Sequence, residues 1–92
     1  MAAVTRNKYV RAGDWRTVET CYNTQFGCLF RAPQGAKIKL RTGIGWLGSD
    51  SQKQTLDGAV DKSINAKNIY ARVQIKVPQD VNVSYVYVPT GP

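Results

Sequence analysis

The residues that could do chemistry are few, and their placement says more than their number. The chain has no histidine, so the usual general base and any Ser-His-Asp arrangement are missing. Glu19 is the sole glutamate. The five aspartates Asp14, Asp50, Asp57, Asp61 and Asp80 all fall in or beside turn signals, where a carboxylate bonds nearby backbone. Asp57 and Asp61 form the closest acidic pair, and a small hydrolase built on turn aspartates is the remote reading they leave open. Cys21 and Cys28 lack the Cys-x-x-Cys spacing and cannot complete a four-ligand zinc site. They are expected as free, buried thiols, or as neighbours across a hairpin if Asn23–Phe26 reverses the chain. No catalytic residue, metal or cofactor is assigned, and a non-enzyme with no small-molecule substrate is the expectation.

Gly43-Ile44-Gly45-Trp46-Leu47-Gly48 is a literal G-x-G-x-x-G. A dinucleotide site needs a doubly buried strand before it and a long helix after it. The preceding Lys37-Ile38-Lys39-Leu40-Arg41 alternates charged with apolar residues, and no long amphipathic helix follows. The segment therefore reads as a loop whose Trp46 and Leu47 either fold onto the core or offer an apolar knob to a partner.

Charge points elsewhere. Thirteen Lys and Arg against six Asp and Glu give +7, a balance that attracts polyanions. Lys37, Lys39 and Arg41 share one face of a strand, since side chains alternate with period two. Tyr70, Arg72, Gln74 and Lys76 form a second outward row. If the two rows are neighbours, they make a basic face with an aromatic ring, of the kind that tracks phosphates and stacks bases. If not, they are ordinary solvated faces.

The elements that position these residues are strands. From Asn68 to Val88 two β-branched and aromatic runs flank Pro78-Gln79-Asp80, and Ile69, Val73, Ile75 and Val77 alternate with the polar row. Turn signals recur every eight to twelve residues: Ala12-Gly13-Asp14, Asn23-Thr24-Gln25, Pro33-Gln34-Gly35, Gly43 to Ser51, Asp57-Gly58 and Asn65 to Asn68 among them. The runs between them are about Val4–Arg11, Trp15–Tyr22, Gly27–Arg31, Ala36–Thr42, Gln54–Leu56, Val60–Ile64, Ile69–Val77 and Val81–Pro89. A single all-β domain over residues 1–92 is predicted, as an antiparallel sandwich (Ig-like or jelly-roll) or a small barrel of seven to eight short strands. Gln52 to Leu56 is read as a turn or strand rather than a helix. Tyr85 and Tyr87 share one face of the last strand and Val86 and Val88 the other, as in a central strand or one covered by another subunit. No linker and no sequence repeat is visible. Hydrophobic content of 42% fits a folded chain, and no stretch reaches the length of a membrane span. With no signal-peptide core after Met1, a cytoplasmic location is expected.

A basic chain starting at Met1, free of histidine, with a Gly-Ser-rich middle (Gly43 to Ser51) and a Val- and Tyr-rich end (Val81 to Val88), resembles the small all-β accessory proteins of tailed bacteriophages. The resemblance implies docking on itself or on a larger protein assembly, in the virion or the host cytoplasm, rather than turnover. A structural or interaction module is thus the leading expectation, and a nucleic-acid-binding β-domain the alternative.

Overall fold

The computed structural model describes residues 3–31, 35–57 and 62–91. The predicted turn at Pro33-Gln34, together with Gly58, Val60 and Asp61, lies outside them, so the Asp57–Asp61 pair does too. The described chain is all-β and antiparallel. Its strands are β1 (Val4–Val10), β2 (Arg16–Phe30), β3 (Lys37–Thr42), β4 (Ser49–Thr55), β5 (Lys62–Lys76) and β6 (Val81–Gly91), with one 3-10 turn at Gly45–Leu47. They form one sheet in the order β1-β6-β2-β5-β3-β4, not closed into a barrel. No described helix is long and apolar enough to cross a membrane.

Two pairs of expected runs prove continuous. Asn23-Thr24-Gln25 does not reverse the chain, because Asn23 takes a left-handed φ of 59° inside β2 and the Cys21 thiol donates across the kink to the Thr24 carbonyl at 2.6 Å. Cys21 and Cys28 therefore lie on one strand, both buried and in no disulfide, and the hairpin between them does not exist. Asn65 to Asn68 likewise lies inside β5. Thirteen residue pairs join β2 and β5. Inward positions change parity along both strands: Cys21 then Phe26, Cys28 and Phe30 in β2, and Ile64 and Ala66 then Ala71, Val73 and Ile75 in β5.

The long ladder bends, and contacts measure the bend. Tyr85 of β6 pairs with Phe30, yet its hydroxyl donates to the carbonyl of Val18 at 3.0 Å, twelve residues back along β2. A straight strand would separate those residues by about 40 Å. Likewise Gln54 of β4 pairs with Ile38, and Ile38 with Ile75, yet the Gln54 amide donates to the Ser63 carbonyl at 2.8 Å, twelve residues back along β5. The sheet folds over itself into two facing layers, within a molecule measuring 34 × 32 × 20 Å. One core lies between them, and Phe26, Phe30, Ile38, Leu56, Ile64, Val73, Ile75, Val83 and Tyr85 are fully buried in it. β6 is a central strand, with β1 and β2 on either side; Val83 and Tyr85 point inward.

The topology also carries a two-fold relation that the amino-acid sequence does not display. Advancing three strands along the chain turns β1, β2 and β3 into β4, β5 and β6, and maps the sheet order onto its own reverse. Equivalent strands have 7 and 7, 15 and 15, and 6 and 11 residues.

Candidate polyanion-binding face

β3 and the second half of β5 are immediate neighbours, so the two basic rows lie side by side. Lys37 pairs with Lys76, Lys39 with Gln74, and Arg41 with Arg72. Ile38, Leu40, Ala71, Val73 and Ile75 point inward and are buried, which fixes the charged row outward by the period-two rule. Tyr70 continues the row at the bend. It pairs with Tyr22, and the rings lie 4.9 Å apart, tilted by 49°. The Arg72 guanidinium sits 5.6 Å from the Tyr70 ring centroid. The contact raises the Tyr22 phenol above its usual pKa, chiefly through the hydrogen bond to Tyr70.

Not all of these cations are free. Lys39 is only 7% exposed; its Nζ lies 3.0 Å from Asp50 Oδ2 and 4.4 Å from the Trp15 ring centroid. Arg41 bonds Asp50 Oδ1 at 2.9 Å and the Gly45 carbonyl at 2.9 Å. These two cations hold the Asp50 carboxyl below its ordinary range, Lys39 most strongly. Lys39 and Arg41 thus shape the face, while the ends of Lys37, Arg72 and Lys76 remain for a ligand. Nε of Arg72 is buried without a hydrogen-bond partner.

Sequence reading missed Trp15, Tyr22, Asp50 and Lys53. Lys53 Nζ lies 5.7 Å from the Trp15 ring, which places a second cation on that indole. Trp15 precedes β2, and no local periodicity assigns it to a face; Lys53 lies on a strand with no apolar residue. Between the end of β1 and the start of β2, a cleft of about 330 Å³ is lined by Lys8, Tyr9, Arg11, Arg16 and Thr17, with Val10 and Val18. Thr17 is tied to the face, accepting from Gln74 Nε2 at 3.3 Å, whereas Arg16 pairs with the inward Ile75 and takes the other side of the strand. Asp80, beyond β1, accepts from the Ala12 N–H at 2.7 Å, the main cause of its lowered pKa.

The other candidate, Gly43 to Gly48, is the connection between antiparallel β3 and β4. Ile44 is 70% exposed, Trp46 90% and Leu47 71%, so Trp46 and Leu47 do not fold onto the core. A strand follows the third glycine where a nucleotide site has its helix. Among the described residues no three Cys, Asp or Glu side chains converge on a point that could hold a metal ion. Neither family models, curated proteins nor solved structures provide a match to this chain.

Proposed function

We propose that the protein is a non-enzymatic binding module whose basic face takes an extended polyanion, single-stranded nucleic acid foremost. The observation that carries this is the register of like charges: Lys37 opposite Lys76 and Arg41 opposite Arg72. Directly opposed like charges weaken a sheet, and a chain of phosphates laid between the rows reverses the sign of that interaction. Tyr70, Tyr22 and Trp15 supply ring faces next to the cations, the combination that holds single strands without reading their sequence.

Contacts from Lys37, Lys53, Arg72 and Lys76 predict a log affinity that falls with log salt at a slope of about 2.8. Binding to an oligonucleotide should weaken about fiftyfold between roughly 50 and 200 mM salt. Fluorescence anisotropy with single- and double-stranded oligonucleotides measures this. No binding at low salt, or a slope near zero, sinks the reading.

Docking on a larger protein assembly is the second reading. It is favoured by the exposed Ile44, Trp46 and Leu47, because apolar side chains grouped at a loop tip mark interaction sites more often than isolated ones do. Retention of a host-lysate protein that is lost on Trp46→Ser supports it.

A further inference from the structure

All five ladders of the sheet join a strand from residues 3–42 to a strand from residues 49–91. They are β1 with β6, β2 with β5, β2 with β6, β3 with β4 and β3 with β5. Among the described residues neither half pairs any two of its own strands. Each half by itself is three separated strands with open edges, and each supplies what the other lacks. The only covalent connection between the halves is the loop from Gly43 to Gly48.

We infer that this chain exchanges halves with a second copy of itself: β1–β3 of one molecule complete a sheet with β4–β6 of the other, through opening of the Gly43–Gly48 loop. Every ladder and the whole core are then rebuilt twice in the dimer, and only the loop changes. Such exchange is a low-cost route to dimers, and here it spans the entire sheet rather than one element.

The loop has the properties that a hinge of this kind needs. In the closed form Gly43 holds φ +86° and Gly45 φ +58°. A Cβ on Gly43 would stand 3.0 Å from Gly48 Cα and 3.2 Å from the Leu47 carbonyl oxygen. An extended loop requires none of these conformations, and every residue type adopts it. The closed loop also leaves three apolar side chains in water. In the exchanged dimer two such loops pass between the lobes beside one another, so Ile44, Trp46 and Leu47 of each copy gain apolar neighbours. This covers the knob that the basic face leaves unused. Because exchange requires all five ladders to open, the two forms interconvert slowly and their ratio is set during folding.

The test is to refold the protein at micromolar and millimolar concentration and weigh the products by light scattering after size exclusion. A dimer fraction that rises with refolding concentration is expected. Gly43→Val/Gly45→Val, which penalises the left-handed loop and tolerates the extended one, should raise the dimer-to-monomer ratio at least tenfold. A wild-type protein that stays monomeric after millimolar refolding overturns the inference, as does a folded variant with an unchanged ratio. Should the valine variant fail to fold, Asn7→Cys/Ser84→Cys with the natural loop decides. The Ser84 hydroxyl and the Asn7 carbonyl are in hydrogen-bond contact across the β1–β6 ladder, so this disulfide joins the two halves. A dimer fraction running at twice the chain mass on a non-reducing denaturing gel supports exchange; the single-chain mass means side-by-side association and overturns it. No nucleic acid enters this experiment, so its outcome is separate from that of the oligonucleotide titration.

Discussion

The two places where the folded sheet nearly meets itself are related by the topological two-fold, and they are closed by different chemistry. At the seam between β1–β6 and the start of β2, a charged and partly buried network does the work. Tyr85 donates to Val18 O and Glu19 Oε2, and Arg6 Nε lies 2.7 Å from the same carboxylate oxygen with its guanidinium 4.7 Å from the Tyr87 ring. At the seam between β4 and the start of β5, neutral amides do it. Gln52 Nε2 donates to Asn65 O at 2.8 Å, the Asn65 N–H donates to Gln52 Oε1 at 3.1 Å, and Gln54 donates to Ser63 O. A glutamine side chain here completes a strand edge much as another backbone would. Each seam strand is irregular where it must reach across: β2 bulges between Thr17 and Glu19, and β4 places Gln52 at φ 54°. The bent sheet demands closure at both equivalent places and leaves the chemistry free. A partly buried ion pair tied to the buried Tyr85 hydroxyl makes the first seam stronger and, through Tyr85, sensitive to alkaline pH; exposed amides make the other weaker and indifferent to pH.

Breaking the first seam should have the largest effect. Tyr85→Phe keeps the ring stacked 4.8 Å from Phe30 but takes the phenol donor from the Val18 carbonyl and from the Glu19 carboxylate, which keeps its ion pair with Arg6, at a cost of about 1–3 kcal/mol. Urea denaturation should show that loss in the midpoint with little change in slope. Gln52→Ala/Gln54→Ala at the second seam should cost less, about 1 kcal/mol, since these bonds are exposed. A Gln double variant more damaging than Tyr85→Phe would invert the comparison.

Alkaline pH should separate the seams without mutation. Burial, and secondarily the nearby Glu19 charge, pushes the Cys28 thiol up to about 12, and burial with the Glu19 contact raises Tyr85 as well. Both groups keep their protons longer when folded, so their contribution is intact below the unfolded values. It is lost as pH rises from about 9 through about 12. Amide exchange should accelerate first in β1 and β6, with β4 following only on global unfolding. Cys28→Ala should flatten the alkaline decline.

The smallest stability effect belongs to Asp50→Asn, on an exposed carboxylate whose ion pairs stabilise little. Its consequence is for binding: release of Lys39 and Arg41 should tighten oligonucleotide or polyphosphate binding about fivefold at low salt. Acid should do the same only as pH falls through the depressed pKa of Asp50, because the carboxylate is charged above it. Anisotropy of the variant at neutral pH, and of the natural chain across acid pH, measures both.

How far the chain could be read from its letters varied along its length, for physical reasons. β3, β6 and the second half of β5 were legible because their alternation is unbroken: Ile38 and Leu40 inward, Lys37, Lys39 and Arg41 outward. β2 was read as two strands because a bulge and a left-handed Asn23 each disturb its inward phase, and a turn residue in mid-strand looks like a reversal. β4 was nearly invisible. Ser49–Thr55 contains no apolar residue, and an edge strand closed by its own side-chain amides needs none. The basic rows were each visible, but Trp15 and Lys53 reach the face from segments distant in sequence.

The amino-acid sequence alone determined the all-β class and the side to which each regular strand turns its charges, because a two-residue period and the desolvation cost of ammonium and guanidinium groups are local matters. Tertiary structure decided which rows became neighbours, where the sheet folded over, and that every ladder joins one half of the chain to the other. Those are pairings between segments tens of residues apart. They are selected by the packing of one shared core, which no local pattern encodes.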